Sequence, residues 1–382
     1  MKTISLLSLL LVFSCIDKKE QIFDNEKISV DLDITGNINL SELATDIEYI
    51  WFKTGEQQIL ARPNKMFFTD NLIFIEENFS EKVFVFDLSG NFLNTIGEEG
   101  EGPFQNMTLD DFSVHNDTVW IKDSKLKKLI GFDFEGKPLQ EKNLTLTRGP
   151  FIRGDNFSLF STNNNSDIGY RIIRLDDSGQ IQGFFDIAPW LEHKLFKGIN
   201  RFIFDKRLNT FYFLLPYSNE LVLFDGNGNF KNLIKLDFGK YNFKPDDWAR
   251  FDNIQDQINY AIENNLVFSI NNYFITKDRI WIYVQPENKE GNYLIFDHQL
   301  NLVDQFNSIN NDLDGFNFNS IPWSASEDAI YYRFRSQQLM EQFENLNEAA
   351  KYQESKISGF VRKNPEVFDD PDNLILIKIS LK

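Results

Sequence analysis

The sequence predicts an all-β fold, a six-bladed β-propeller of four-stranded antiparallel sheets, and three observations carry that prediction. A turn phrase, Phe-Asp-x-x-Gly, recurs along the chain. Each recurrence closes a group of short β-branched and aromatic runs. A strand near the beginning of the chain has no group of its own, and the last group is one strand short. The phrase reads Phe86-Asp87-Leu88-Ser89-Gly90, Phe132-Asp133-Phe134-Glu135-Gly136, Leu175-Asp176-Asp177-Ser178-Gly179 and Phe224-Asp225-Gly226-Asn227-Gly228. A fifth copy, Phe296-Asp297-His298-Gln299-Leu300, lacks the glycine. The copies stand roughly 43–49 residues apart, with the last step lengthened by an insertion, and such a period marks a repeat array.

The first repeat shows the layout best. Runs 65–68 and 72–75 flank a turn at Asp70-Asn71, a looser loop leads to run 83–86, and the Asp87–Gly90 turn launches run 92–96. Short β-branched and aromatic runs bounded by Asp, Asn and Gly are the signature of hairpins. The glycine supplies a positive φ, and the aspartate accepts backbone N–H bonds inside the turn. The second repeat places strands at 112–114, 119–121, 129–134 and 138–139; the third at 157–160, 170–175 and 181–185. The fourth has 202–204, 211–215, 221–224 and 233–236, and the fifth 273–275, 280–284, 293–296 and 302–303. A sixth begins at 321–323, continues through 330–334 and finishes at the chain end with 374–379. Its missing strand is supplied by the orphan run 47–52, and this pairing of the two ends closes the ring. Closure removes the open sheet edges that would otherwise template aggregation. Thirty-nine phenylalanines against 12 tyrosines fit the space between stacked sheets.

Two insertions interrupt the pattern. In 241–266, Trp248, Phe251, Ile254, Ile258 and Ile262 recur at helical spacing after Pro245-Asp246-Asp247, a helix start. In 336–371, Leu339, Met340, Phe343 and Leu346 suggest another helix. Both fall on the face of the ring that carries the loops between second and third strands and between blades. The helices either form a lid or cleft wall there or simply pack over a blade edge.

A net charge of −18 argues against nucleic acid as a partner, because phosphates require a basic face. It equally disfavours adhesion to anionic lipid by charge alone. The N-terminus carries a different signal. Lys2 precedes an apolar stretch at 6–13 that is too short to span a bilayer, and Val12-Phe13-Ser14-Cys15 has the form of a lipobox. Residues 1–14 thus read as a signal peptide, Cys15 as the lipidated residue, and 15–27 as a polar tether. The single propeller domain then spans 28–382. Several acyl chains on Cys15 would anchor it firmly. Cys15 is the only cysteine, so no disulfide supports the mature domain.

At these residues the chain resembles the six-bladed β-propeller lipoproteins common in Bacteroidota, which are related to NHL-type propellers. The resemblance rests on the lipobox, the phrase at 86–96, the loop Gly97-Glu98-Glu99-Gly100-Glu101-Gly102-Pro103 and the ending at 372–382, and it covers the mature chain. Where the family loop usually runs on as Gly-Pro-Gly-Glu-Tyr, this chain has Phe104-Gln105 in place of Gly-Glu. The resemblance implies the fold and an outer-membrane location facing the periplasm or cell exterior. It implies no activity.

The chemistry that the sequence offers is sparse. His115 and His298 sit in tight turns, so a multi-histidine metal site is excluded, and His193, the only histidine on the long-loop face, reads as a solvent-facing loop residue. No metal, cofactor or catalytic residue is assigned. The candidate ligand-binding residues are Glu99, Glu101 and Gln105 in the glycine-rich loop, Arg148, Arg153 and Arg201 near the starts of blades 3 and 4, and Trp248 and Trp323. Guanidinium groups suit carboxylates and sugar hydroxyls, and indole faces stack on sugars. The same residues equally suit inter-blade ion pairs and edge packing. The expected function is a non-enzymatic binding module for a glycan, a peptide or an envelope protein. The alternative is a polysaccharide-active hydrolase or lyase, which would need two carboxylates converging across the channel mouth.

Overall fold

A computed structural model of the chain describes residues 25–55, 59–144, 149–165, 167–192, 201–251, 253–318, 321–347 and 355–382. Cys15, Arg148 and His193 lie outside them.

The recurring turn folds as its chemistry requires. Asp87 Oδ1 accepts the amides of Ser89 and Asn91, both at 2.9 Å. Asp225 repeats this with Asn227 and Asn229, and Asp176 with Ser178 and Gln180. Gly90 has a φ of 83°, and a side chain there would also meet the Trp51 carbonyl oxygen at 2.2 Å. In the fifth copy Leu300 itself takes a φ of 68°, a conformation costly for a residue with a Cβ. The Asp297 carboxylate holds that turn by accepting from Asn301.

Each turn joins strands of one blade. Blade 1 comprises Pro63–Phe68, Leu72–Glu77, Lys82–Asp87 and Phe92–Ile96. Blade 2 comprises Asp111–His115, Thr118–Asp123, Lys128–Phe132 and Pro138–Asn143. Blades 3, 4 and 5 start at Phe151–Arg153, Ile203–Asp205 and Ile270–Ile275. The inner strand of blade 3, Phe151–Arg153, had no sequence counterpart because three residues are too few to show alternation. Blade 6 orders Ser324–Ala325, Ala329–Arg335, Leu374–Leu381 and Ala44–Trp51 from the axis outward. Its last pair is antiparallel with Ile377 opposite Tyr49 and Ile379 opposite Ile47, so the chain ends are knitted as expected. The inner strands of blades 6 and 1 lie side by side, which completes the ring.

Apolar side chains of facing blades fill the wedges between sheets. Phe74, Val85, Phe112 and Ile121 pack blade 1 on blade 2. Phe184 meets Phe224 edge to face at 5.1 Å between blades 3 and 4, a favoured arrangement of aromatic quadrupoles. The phenylalanine excess is thus inter-sheet packing material.

Two features were not anticipated. Asn25–Ser29, partly within the expected tether, adds to the outer edge of blade 4 as a fifth, parallel strand. Asn37–Asn39 pairs in parallel with Ser308–Asn310, just outside blade 5. Neither segment carries the turn phrase, and each pairs with a partner hundreds of residues away. The insertion at 241–266 forms two helices, Pro245–Ala249 and Ile254–Asn264. Its apolar spacing reads as one, but Asn253 caps a second helix, and Ile254 of the expected stripe is 47% exposed while Gln257 and Ala261 are buried. The second insertion supplies Ser336–Asn347 and Lys356–Lys363.

Candidate functional site

The long-loop mouth of the channel is lined where inner strands begin and second strands end. Blades 4 and 5 place apolar residues at the latter position, in Thr210–Leu214 and Ile280–Val284. Blades 1, 2 and 6 instead end their second strands in Glu76-Glu77, Lys122-Asp123 and Arg333-Phe334-Arg335. Alternation along a strand sends neighbouring residues of each run to opposite faces of the sheet.

Glu77 and Asp123 are buried and cap loops. Glu77 accepts the amides of Arg62, Phe79 and Ser80, and Asp123 those of Met107 and Leu126. Glu76 and Lys122, on the other face, are 1% exposed. Their inner-strand neighbours are Lys65, at 9%, and Asp111, at 5%, with Asp111 registered opposite Lys122. Blades 1 and 2 therefore carry the same charged pair with its signs exchanged. Lys65 Nζ lies 2.7 Å from Asp111 Oδ1, while Asp111 Oδ2 accepts the Phe151 amide at 2.8 Å. Lys122 donates to the Gly149 carbonyl. Asn64 Nδ2 donates to Glu76 Oε1 at 2.7 Å.

Arg201 completes the group from the far side of the ring. It precedes blade 4, which stands opposite blade 1, yet its Nη2 reaches the Asn64 carbonyl at 2.7 Å. Tyr273 fixes its backbone by donating to the Arg201 carbonyl. Burial, and then the charge of Asp111, pushes the Glu76 carboxyl up to about 7. Burial lowers the Lys122 ammonium and the Arg201 guanidinium from their ordinary values.

Beside this group a polar cleft of about 740 Å³ opens between blades 1 and 6, within the usual range for small-ligand sites. Arg62, Asn64, Asn78, Arg333 and Arg335 line it, and helix Ser336–Asn347 contributes Gln338, Glu341 and Gln342. Arg335 is pinned by the carbonyls of Leu60, Ala61 and Asp372. Arg333 donates to the Pro63 carbonyl at 2.6 Å, and its guanidinium lies 4.8 Å over the Trp323 ring. Trp323 Nε1 in turn donates to the Asn64 carbonyl at 3.0 Å. The second insertion thus forms one wall of the cleft.

The structure gathers Arg201 and Trp323 here and disperses the other described candidates. Gln105 is used by its own loop, accepting from the Gly102 amide at 2.9 Å and donating to Glu98 at 3.0 Å. Glu99 and Glu101 are exposed on that loop, which is tied over the outer part of blade 2 by Lys128 and Glu141. Arg153 stands at the tight-turn end of its strand, not at the mouth. There it pairs with Asp177 at 2.7 Å and covers Trp120 of blade 2. Trp248 is 2% exposed, packed against Trp190, Tyr217, Phe243 and Phe268 beneath its insertion. Sequence reading missed Lys65, Glu76, Asp111, Lys122 and Arg333. The available signal was a charge at the strand position where the fourth and fifth repeats are apolar.

Among the described residues, no group of three or more His, Cys, Asp or Glu side chains could hold a metal ion. No curated protein matches the sequence. A solved Bacteroides fragilis protein, named as exported, superposes with a TM-score of 0.71 at 15% identity, covering 94% of this chain and 99% of its own. A Bacteroides vulgatus member of the duf4221 family gives a TM-score of 0.54 at 11% identity, covering 89% and 97%. These likenesses establish the propeller architecture. The family described as "Domain of unknown function (DUF4934)" matches residues 25–377, and the chain therefore belongs to that family, built as a six-bladed propeller.

Proposed function

We propose that the chain is a non-enzymatic binding lipoprotein of the bacterial cell envelope, which holds its ligand in the cleft between blades 1 and 6. The observation that carries this reading is the cleft itself. It is a polar recess on the long-loop face, walled by a rigid ring and one helix, beside carboxylates that are already engaged by protein groups. Asp111 bonds Lys65 and the Phe151 amide, and Glu76 bonds Asn64, so neither is presented to a reacting bond. The lipobox at Cys15 supports the envelope address, as does the exported name of the B. fragilis neighbour. Cys15→Ala is expected to move the protein from the membrane fraction to the soluble fraction on cell fractionation. Membrane retention by the variant would refute lipid anchoring.

A polysaccharide hydrolase or lyase is the second reading, and the Glu76 carboxyl favours it by lying near 7, where a general acid works best. Its burial at 1% exposure weighs against it. Reducing-end release from acidic polysaccharide, lost in Glu76→Gln, would support this reading, and absence of turnover by the wild type would end it.

A further inference from the structure

The binding reading above leaves the ligand's chemistry open, and the charges at the site narrow it. The chain carries a net charge of −18, yet the mouth and cleft gather Lys65, Lys122, Arg201, Arg62, Arg333 and Arg335 against Glu76, Asp110, Asp111 and Glu341. Asp111 divides its oxygens between Lys65 and a backbone amide. Lys122 is satisfied by a carbonyl, which neutralises none of its charge. Desolvated cations are costly unless paired, so this local excess of positive charge favours a negatively charged occupant.

The cleft next to it has matching chemistry. Arg62 and Arg333 are both exposed there, and Arg333 is pre-oriented by the Trp323 ring and the Pro63 carbonyl. A planar, fixed guanidinium is suited to a carboxylate. The amides of Asn78 and Gln338 on the lining suit hydroxyl groups. We infer that this cleft binds an acidic oligosaccharide, with a carboxylate of the sugar between Arg62 and Arg333 and its hydroxyls against the flanking amides.

The charge balance adds a pH signature. The groups around Glu76 are Asn64 and Lys65 of its own blade, Asp111 and Lys122 of blade 2, and Arg201 from across the ring. The Glu76 carboxyl, pushed up to about 7, changes charge near neutrality. Protonating it removes a negative charge beside the bound anion, while uronate carboxylates stay ionised. Binding therefore tightens as pH falls from about 8 to about 6.

The test is calorimetric titration of the mature chain with oligogalacturonate, with dextran oligomers of equal length and with a Glu-rich peptide. Oligogalacturonate is expected to bind, dextran is not, and added salt should weaken the interaction. Arg62→Glu, on an exposed side chain, should weaken binding about tenfold or more, and Arg333→Gln similarly. Glu76→Gln should flatten the pH dependence. Dextran binding as tightly as oligogalacturonate, or oligogalacturonate binding that ignores both arginine variants, overturns the inference. Peptide binding in place of the sugar, lost in Arg62→Glu, overturns the sugar assignment and leaves the binding reading standing. Failure of all three probes on a folded protein also overturns it without touching that reading. Cleavage of oligogalacturonate would instead refute the non-enzymatic function.

Discussion

Glu76 is the residue on which the electrostatics of the mouth turn. Its carboxyl is raised from 4.5 to about 7 by burial and by Asp111. Between those values the folded chain keeps a proton that the unfolded chain has released. The contribution of this group is therefore full below about pH 4.5 and is lost as pH rises toward about 7. Thermal midpoints measured at about pH 5 and pH 8 should fall more for the wild type than for Glu76→Gln, and equal falls would show that the carboxyl titrates normally in the fold. At this scale the sequence was only partly legible. Arg201 and Trp323 were readable because their positions just before an inner strand fix where they end up. Glu76 and Lys122 were hidden because charges at a strand end look like a solvated terminus until the strand's facing is known. Arg153 and Trp248 show the converse. Both side chains suit a ligand, but a neighbouring carboxylate claims one and an aromatic cluster the other.

At the level of elements, the hairpins were almost fully readable and the insertions only half so. An Asp that accepts the amides two and four residues on, with a glycine able to take positive φ, specifies its turn locally. A helix within an insertion depends on where its cap falls. Helix Ile254–Asn264 begins at Asn253, whose side chain accepts the Asp256 amide at 2.9 Å. Buried Gln257 then reaches back to the carbonyls of Trp248 and Phe251, binding this helix to the one before it. Asn253→Ala should cost about 1 kcal/mol in chemical denaturation, with most of the loss recovered by Asn253→Asp. An unchanged midpoint would mean the cap is dispensable and the aromatic cluster alone holds the helix. The parallel strands Asn25–Ser29 and Asn37–Asn39 escaped notice for a different reason. Their partners are distant in sequence, and nothing local in a short polar run announces such pairing.

For the whole molecule, the decisive inference was arithmetic: one strand too many at the start and one too few at the end. Leu374–Leu381 and Ala44–Trp51 meet that requirement with paired residues along most of their length. Removing residues 373–382 deletes the third strand of blade 6 and strands the fourth. The truncated chain should lose its cooperative thermal transition and aggregate, and a soluble chain with a single sharp transition would contradict closure by the clasp. The ring also has a consequence for stiffness. A guanidinium that reaches from just before blade 4 to the backbone of blade 1 works as a crossbar between opposite blades, so a strain applied to one side of the ring is shared by the other.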